Sequence, residues 1–438
     1  MLDSPRIDRL LVGLFRLRTR GLLRLGGAGG PPPPPPASGA VELYVHIPFC
    51  AALCPFCSFH RVLHCPAQSA RYFAALHAEI RLYHAAGYRF TGVYVGGGTP
   101  TLEPAPLLAT LDLVRALFPV RTVSVETNPR ELRAPLLADL AAAGVTRLSV
   151  GVQSFDDALL GAMERLGPYG SGAEIQEHLH AAAGRFPTLN VDLIFNQPRQ
   201  TLASFARDLA LVRAAGADQV SCYPLMSAPG VRRRMGAAMG LPDATRLRGF
   251  YDAIAPALGP DFTPTSAWCF TRGAGAGDEY LATADHYVGV GSGAFSYLDG
   301  TLYATTFSLA HYEERVQSGL TGIAAARVLT PVERARYALL VGLFGRGLTT
   351  PAARAAHAAD LRRVRPELTA LRVLGALRTD AGRWELTPRG RYWLMLMMSE
   401  FFTAVNAYRE AMRARVKTES APAGPPAALS TFAPLPAP

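Results

Sequence analysis

The sequence predicts an α/β fold: a partial (β/α)6 TIM-like barrel followed by a C-terminal, mainly helical, winged-helix-like domain. Three observations predict it. Six short β-rich runs alternate with amphipathic helical stretches between residues 41 and 225. The residues with chemical potential, three clustered cysteines, a glycine triplet and a glutamate, fall where the predicted strands end. The last third of the chain carries helical rather than strand periodicity.

The β-rich runs are 41–47 (VELYVHI), 90–96 (FTGVYVG), 122–127 (TVSVET), 147–153 (RLSVGVQ), 190–195 (NVDLIF) and 219–225 (QVSCYPL). Helical stretches separate them at 69–86, 105–118, 134–143 and 202–215, and glycines stop several of these, as at Gly87, Gly144 and Gly216. Such strand–helix alternation implies a parallel sheet with helices outside. Residues 331–345, 352–377 and 391–415 have helical periodicity, with a short turn and strand near Gly382–Gly390. A winged-helix-like domain of this kind serves here as a cover for the barrel, and Met395, Met397 and Met398 as core packing.

The expected divisions are a basic, Pro-rich disordered tail over 1–40, a core domain over 41–300, a helical accessory domain over 301–416 and a disordered tail over 417–438. The run Pro31–Pro36 marks the first linker. The stretch from Leu10 to Leu17 alternates with arginines, as a short amphipathic helix does; a frayed tail is the preferred reading, with weak membrane-surface association as the alternative.

The formal net charge is +10, almost all from arginine, since Lys417 is the sole lysine. Abundant Ala, Pro and Gly make this largely a composition bias, and no RNP, zinc-finger or helix-turn-helix signature supports nucleic-acid binding. A basic surface still favours an acidic substrate. No apolar run is long enough to span a bilayer, and there is no clean signal-peptide pattern.

The six cysteines form a poor disulfide framework and a better metal site. Cys50-Ala-Ala-Leu-Cys54-Pro-Phe-Cys57 sets three thiolates on one loop at C-x3-C-x2-C spacing, enough for three irons of a [4Fe–4S] cube with the fourth iron open. Zinc is the alternative, with His60 or Cys65 as a fourth ligand, although structural zinc sites usually use spaced pairs.

This loop after a first strand resembles the signature of the radical S-adenosylmethionine (SAM) superfamily. The flanking motifs resemble, more narrowly, the oxygen-independent coproporphyrinogen III oxidase-like family, which includes oxidases, heme chaperones and heme-degrading methyltransferases. They are Tyr44-Val-His46-Ile-Pro-Phe-Cys50, Gly96-Gly97-Gly98-Thr99-Pro100-Thr101, Glu126-Thr-Asn128-Pro129, Arg147-Leu-Ser-Val-Gly-Val-Gln153-Ser-Phe155, Asp192-Leu-Ile and Gly289-Val-Gly291-Ser-Gly293-Ala-Phe295-Ser. In order, they cover about residues 41–300.

The resemblance implies a [4Fe–4S] cluster on Cys50, Cys54 and Cys57, with SAM on its open iron. One electron then cleaves SAM to methionine and a 5′-deoxyadenosyl radical that abstracts hydrogen from substrate. It further implies SAM contacts from Tyr44, Phe56, Gly97, Gly98, Thr99 and Glu126, second-SAM positions at Gln153, Arg165 and Asp192, and apolar contacts from Met226 and Phe295. His46 is expected to be a satisfied core histidine. The implied partners are a tetrapyrrole or heme and an electron donor such as flavodoxin or ferredoxin, and the implied compartment is the cytoplasm.

The sequence departs from the family at points that concern substrate. Ser58-Phe59 follow Cys57, where the oxidases carry another cysteine two residues on, and their N-terminal gating segment is not recognisable in residues 1–40. Leu166-Gly-Pro-Tyr-Gly follows Arg165, where many relatives have a histidine, and Asn196-Gln197-Pro198 stands for Gly-Leu-Pro. Trp268-Cys269-Phe270 differs from the chaperone pattern with its heme-binding histidine. The expected function is an oxidase-like radical SAM reaction of tetrapyrrole metabolism. The alternatives are a heme chaperone that keeps the cluster, a heme methyltransferase or degrading enzyme and, more distantly, a zinc-binding regulator.

Replacing Cys50, Cys54 or Cys57 by alanine should each abolish the cluster and activity, whereas Cys65→Ala and Cys269→Ala should keep both. Iron and sulfide analysis with the visible spectrum checks this, and a full [4Fe–4S] complement in Cys54→Ala would contradict it.

Overall fold

The structure is a computed structural model that describes residues 5–19, 21–37, 40–273, 284–345 and 348–419. Six parallel strands form its centre in sequence order: β1 (Val41–Ile47), β2 (Phe90–Gly97), β3 (Thr122–Thr127), β4 (Arg147–Gln153), β5 (Thr188–Phe195) and β6 (Gln219–Pro224). Helices Pro66–Ala85, Pro104–Leu117, Ala134–Ala142, Gly172–Ala182 and Leu202–Ala214 connect them. Leu43, Val45, Val95, Val125, Leu148, Val150, Val191, Leu193 and Val220 are buried in the sheet, because helices and barrel interior leave neither face to water. Gly87, Gly144 and Gly216 adopt positive φ just past their helices, which explains the stops read in the sequence. This is the expected partial barrel.

The sheet extends at both ends. Beyond β6 run Cys269–Arg272 and Phe262–Pro264, both antiparallel. Beyond β1 lies His286–Val290, parallel, then Phe295–Leu298, Thr301–Thr305 and Ile323–Val328 as an antiparallel meander. Residues 301–328, expected to be helical, therefore belong largely to the sheet, with only Leu309–Gln317 as a helix between strands. Their short Ala-, Thr- and Tyr-containing runs give little periodicity, and pairing with a neighbouring strand decides their state.

The mainly helical part begins at Pro331–Phe344. The stretch with helical periodicity over 352–377 is helical up to Val373, as three short helices, Pro351–Ala356, Ala358–Arg363 and Arg365–Val373, and is followed by a hairpin of Leu377–Asp380 with Arg383–Leu386. Pro366 sits in the first turn of the third helix, a position proline tolerates only at a helix start. The last helix, Pro388–Glu419, is long; Met395 and Met398 are fully buried in it. It includes residues 417–419, which were expected to be disordered, while 420–438 lie outside the described residues.

The N-terminal segment is not a frayed tail where it is described. Pro5–Thr19 is a helix whose Ile7, Leu11, Val12 and Phe15 pack on the core. Trp393 Nε1 donates to Asp8 at 2.9 Å, and Arg16 pairs with Glu400 at 2.5 Å, both partners being on the last helix. Gly26–Gly27 pairs with Ala325–Ala326, and Tyr88 donates to Pro33 O at 3.0 Å. Amphipathic spacing marks the buried face of such a helix, but its partner lies far along the chain. Among the described residues, no helix is long and apolar enough to cross a membrane.

Candidate functional site

After β1, the pair Phe49–Cys50 forms a short parallel bridge with Val62–Leu63, which brackets the cysteine loop. His64 N donates to Cys50 O at 3.0 Å and Val62 N to Pro48 O at 2.8 Å, fixing both ends. Cys50 and Cys54 are buried and Cys57 is half-buried. All three line one cavity of about 350 Å³ at the C-terminal ends of the strands. Burial, together with the charge of Cys57, pushes the Cys50 thiol up to about 12.

Two of these thiols each have one donor directed at sulfur. Arg165 Nη1 stands 3.5 Å from Cys54 Sγ, and Thr99 Oγ1 stands 3.9 Å from Cys50 Sγ. Such donors favour thiolates, and hydrogen bonds to sulfur tune iron–sulfur clusters. Among the described residues, no three His, Cys, Asp or Glu side chains are placed to hold one metal ion. A cube does not ask for that, since each thiolate bonds a different iron. Neither candidate fourth zinc ligand lines the cavity: Cys65 is exposed before helix Pro66–Ala85, and His60 Nε2 is 3.1 Å from Ser292 Oγ. The donor set therefore fits an iron–sulfur cube open at one corner.

The glycine triplet ends β2 against this loop. Gly98 N donates to Ile47 O at 2.7 Å, and Thr99 N to Phe49 O at 2.8 Å. A Cβ on Gly98 would lie 2.5 Å from Phe49 O; on Gly97, where φ is +120°, it would lie 2.7 Å from the His46 ring. Only glycine permits this approach. From β3, Glu126 accepts from Gly97 N at 3.0 Å and from Tyr94 Oη at 2.8 Å, while burial raises its carboxyl pKa. Asn128 donates to Thr99 Oγ1 at 2.7 Å and accepts from Arg165 Nη2 at 2.9 Å. Arg165 also donates to Gly151 O. The glycine turn, the cysteine loop and the ends of β3 and β4 are thus one hydrogen-bonded unit.

Gln153 has φ +74° where the β4–β5 register shifts. A non-glycine residue held there is strained, a condition that gathers at functional sites. Asp192 on β5 accepts from Asn190 Nδ2 at 2.8 Å and Ser149 Oγ at 3.1 Å. Burial, against the pull of Arg147, pushes its carboxyl up to about 7.

The structure brings every residue expected to hold the cluster or SAM to this cavity: Tyr44, Cys50, Cys54, Phe56, Cys57, Gly97, Gly98, Thr99, Glu126, Gln153, Arg165, Asp192, Met226 and Phe295. His46 instead lies behind it, with Nδ1 2.9 Å from Tyr44 Oη and Nε2 2.8 Å from His60 O. The cover was expected of the C-terminal domain, but the residues it sends into the cavity were not. Phe401, Phe402, Val405, Asn406 and Arg409 of the last helix line the same cavity, as do Arg61, Tyr94 and Asn128. Asn406 and Arg409, spaced to share one helical face within an apolar run, were the available signal.

Residues 44–212 match the family model of the radical SAM superfamily. The chain is 33% identical over 276 residues to the heme chaperone HemW of Mycobacterium tuberculosis, covering 59% of this chain and 70% of that protein. It is 35% identical over 200 residues to the oxygen-independent coproporphyrinogen III oxidase of Escherichia coli, covering 44% and 43%. The solved structure of that organism's coproporphyrinogen III oxidase, HemN, superposes with a TM-score of 0.67 at 24% identity over 83% of this chain and 90% of that one, a likeness of fold.

Asp192 supplies a test of the site's electrostatics. Its folded-state value of about 7 exceeds the ordinary 3.8, so between these values the native state holds a proton that the unfolded chain has released. Stability should therefore decline as pH rises from about 4 to about 7, and Asp192→Asn should flatten that decline in urea-midpoint measurements across this range.

Proposed function

The chain belongs to the radical SAM superfamily, in the branch of the heme chaperones and oxygen-independent coproporphyrinogen III oxidases, and on that premise we propose that it is a radical SAM enzyme acting on a tetrapyrrole. Its cofactors are a [4Fe–4S] cluster and SAM. When reduced by one electron, they supply a 5′-deoxyadenosyl radical able to abstract hydrogen from a carbon.

The observation that carries this reading is the convergence of three thiols, a glycine turn and a buried glutamate on one cavity at the strand ends. Cys50, Cys54 and Cys57 hold three irons and leave the fourth for SAM. The Gly97–Thr99 backbone and Glu126 receive the ammonium and neighbouring groups of SAM. Tyr44, Phe56, Met226 and Phe295 provide apolar walls. Gln153 and Asp192 add polar groups to the wall, and Arg165 does so beside Cys54. The last helix closes the cavity with Phe401, Phe402 and Val405, which keeps water from a reactive centre.

The substrate class follows from the relatives and from charge. Arg61 and Arg409 line the cavity, and guanidinium groups pair well with the carboxylates of a propionate-bearing tetrapyrrole. The proposed reaction is oxidative decarboxylation of such side chains: a flavodoxin- or ferredoxin-type donor supplies the electron that cleaves SAM, the 5′-deoxyadenosyl radical takes one hydrogen atom, and the substrate radical loses carbon dioxide and passes its remaining electron to a one-electron acceptor, leaving a vinyl group. A heme carrier is the second reading, and one observation favours it: the match to the heme chaperone spans 70% of that protein, against 43% for the E. coli oxidase.

Anaerobic turnover of the reduced, reconstituted chain with SAM and coproporphyrinogen III should yield 5′-deoxyadenosine together with the decarboxylated tetrapyrrole by mass. Glu126→Ala should weaken SAM binding roughly tenfold or more, as loss of a charged hydrogen-bond partner does. With heme supplied in place of coproporphyrinogen III, a methylated or opened product would assign a methyltransferase instead, and heme binding without substrate-coupled SAM cleavage would assign a carrier.

A further inference from the structure

The cysteine loop, residues 50–61, contains no carboxylate, yet arginines from several elements converge on it. Arg61 donates to Cys54 O at 2.5 Å and Arg234 to Leu53 O at 2.7 Å. From the last helix, Arg413 Nη2 donates to Ser58 O at 3.1 Å and also to Phe59 O, just past Cys57. One turn earlier, the Arg409 guanidinium stacks between the rings of Phe59 and Phe295, 5.2 Å and 5.4 Å from their centroids.

Arg413 sits there at a cost. Its Nε is buried with no hydrogen-bond partner among the described residues. Burial, then the like charge of Arg61, pulls it down to about 10, while Cys57 pulls it back up. Apart from Glu410 on its own helix, whose carboxylate accepts from Gly230 N, this guanidinium faces neutral carbonyls and other arginines, and a further anion nearby would stabilise it. An iron–sulfur cube held by three thiolates carries net negative charge, and reduction adds one more electron to it.

We propose that Arg413, flanked by Arg409, is a positioning residue through which the last helix supplies counter-charge to the cluster, so that docking of this helix and reduction of the cluster favour one another. The inference rests on the reading of Cys50, Cys54 and Cys57 as cluster ligands. Its consequence is reciprocal: whatever tightens the helix on the loop eases electron entry, and electron entry tightens the helix. Because the same helix lines the cavity, electron transfer from the donor would be coupled to closure over the bound ligand.

The test uses the full chain, reconstituted anaerobically. Iron, sulfide and visible absorbance are measured first on the unaltered protein; absence of a cluster there would overturn the reading of the site itself. Redox titration followed by EPR should then give a more negative midpoint for Arg413→Met, with Arg413→Lys recovering most of the shift. Equal midpoints for the unaltered protein and Arg413→Met would overturn the proposal. A second measurement needs no variant. Hydrogen exchange across residues 405–417 should slow roughly fivefold or more when dithionite reduces the cluster, and exchange indifferent to reduction would equally overturn it.

Discussion

The close approach of the glycine turn to the chain entering the cysteine loop is the constraint on which the rest of the site depends. Two backbone hydrogen bonds, Gly98 N to Ile47 O and Thr99 N to Phe49 O, bind the end of β2 to the segment just before Cys50. They require bare backbone at Gly97 and Gly98, because any Cβ there would collide with His46 or Phe49. With that contact made, Gly97 N is aimed at Glu126, and Thr99 is placed between Cys50 Sγ and Asn128. Through Asn128 and Arg165 the same unit reaches Cys54. The ligand side and the cluster side of the cavity are therefore set by one piece of geometry.

A second network supports it from behind. Glu79, fully buried on helix Pro66–Ala85, accepts from Tyr312 Oη at 2.7 Å, Gly291 N at 2.9 Å and Gly322 N at 2.6 Å. Tyr72 donates to His46 O at 2.6 Å and accepts from Ser292 N at 3.0 Å. This links the loop after His286–Val290 to the end of β1, and so fixes the floor beneath the cysteine loop. A buried carboxyl with three donors is tolerable; with any of them removed it is costly. The cover comes from elsewhere: the first and last helices pack on each other, and the last reaches over the cavity.

The barrel was legible in the sequence because its signals are local. Each of β1–β6 is rich in β-branched or aromatic residues, most of the connecting helices end near a glycine, and the cysteine loop, Gly97 and Glu126 follow or end a strand. The cavity lining was legible for the same reason, since ordered motifs on consecutive strands must meet at one barrel mouth. What escaped depends on contacts distant in sequence. Ile323–Val328 becomes a strand by pairing with Thr301–Thr305, some twenty residues back, and Gly26–Gly27 by pairing with Ala325–Ala326. The periodicity of Pro5–Thr19 marks a buried face without marking Trp393 as what it meets. Arg413 reads as one arginine among many until the fold sets it on Ser58 and Phe59.

The measurement that most directly tests this account is EPR of the anaerobically reduced full chain, titrated with SAM carrying an isotopic label in its methionyl carboxylate and amine. The account predicts a [4Fe–4S] signal that changes shape on SAM addition and shows hyperfine coupling to the label, as expected when three thiolates leave one iron open. A cluster signal indifferent to saturating SAM, or a purified protein holding zinc and no cluster, would contradict it.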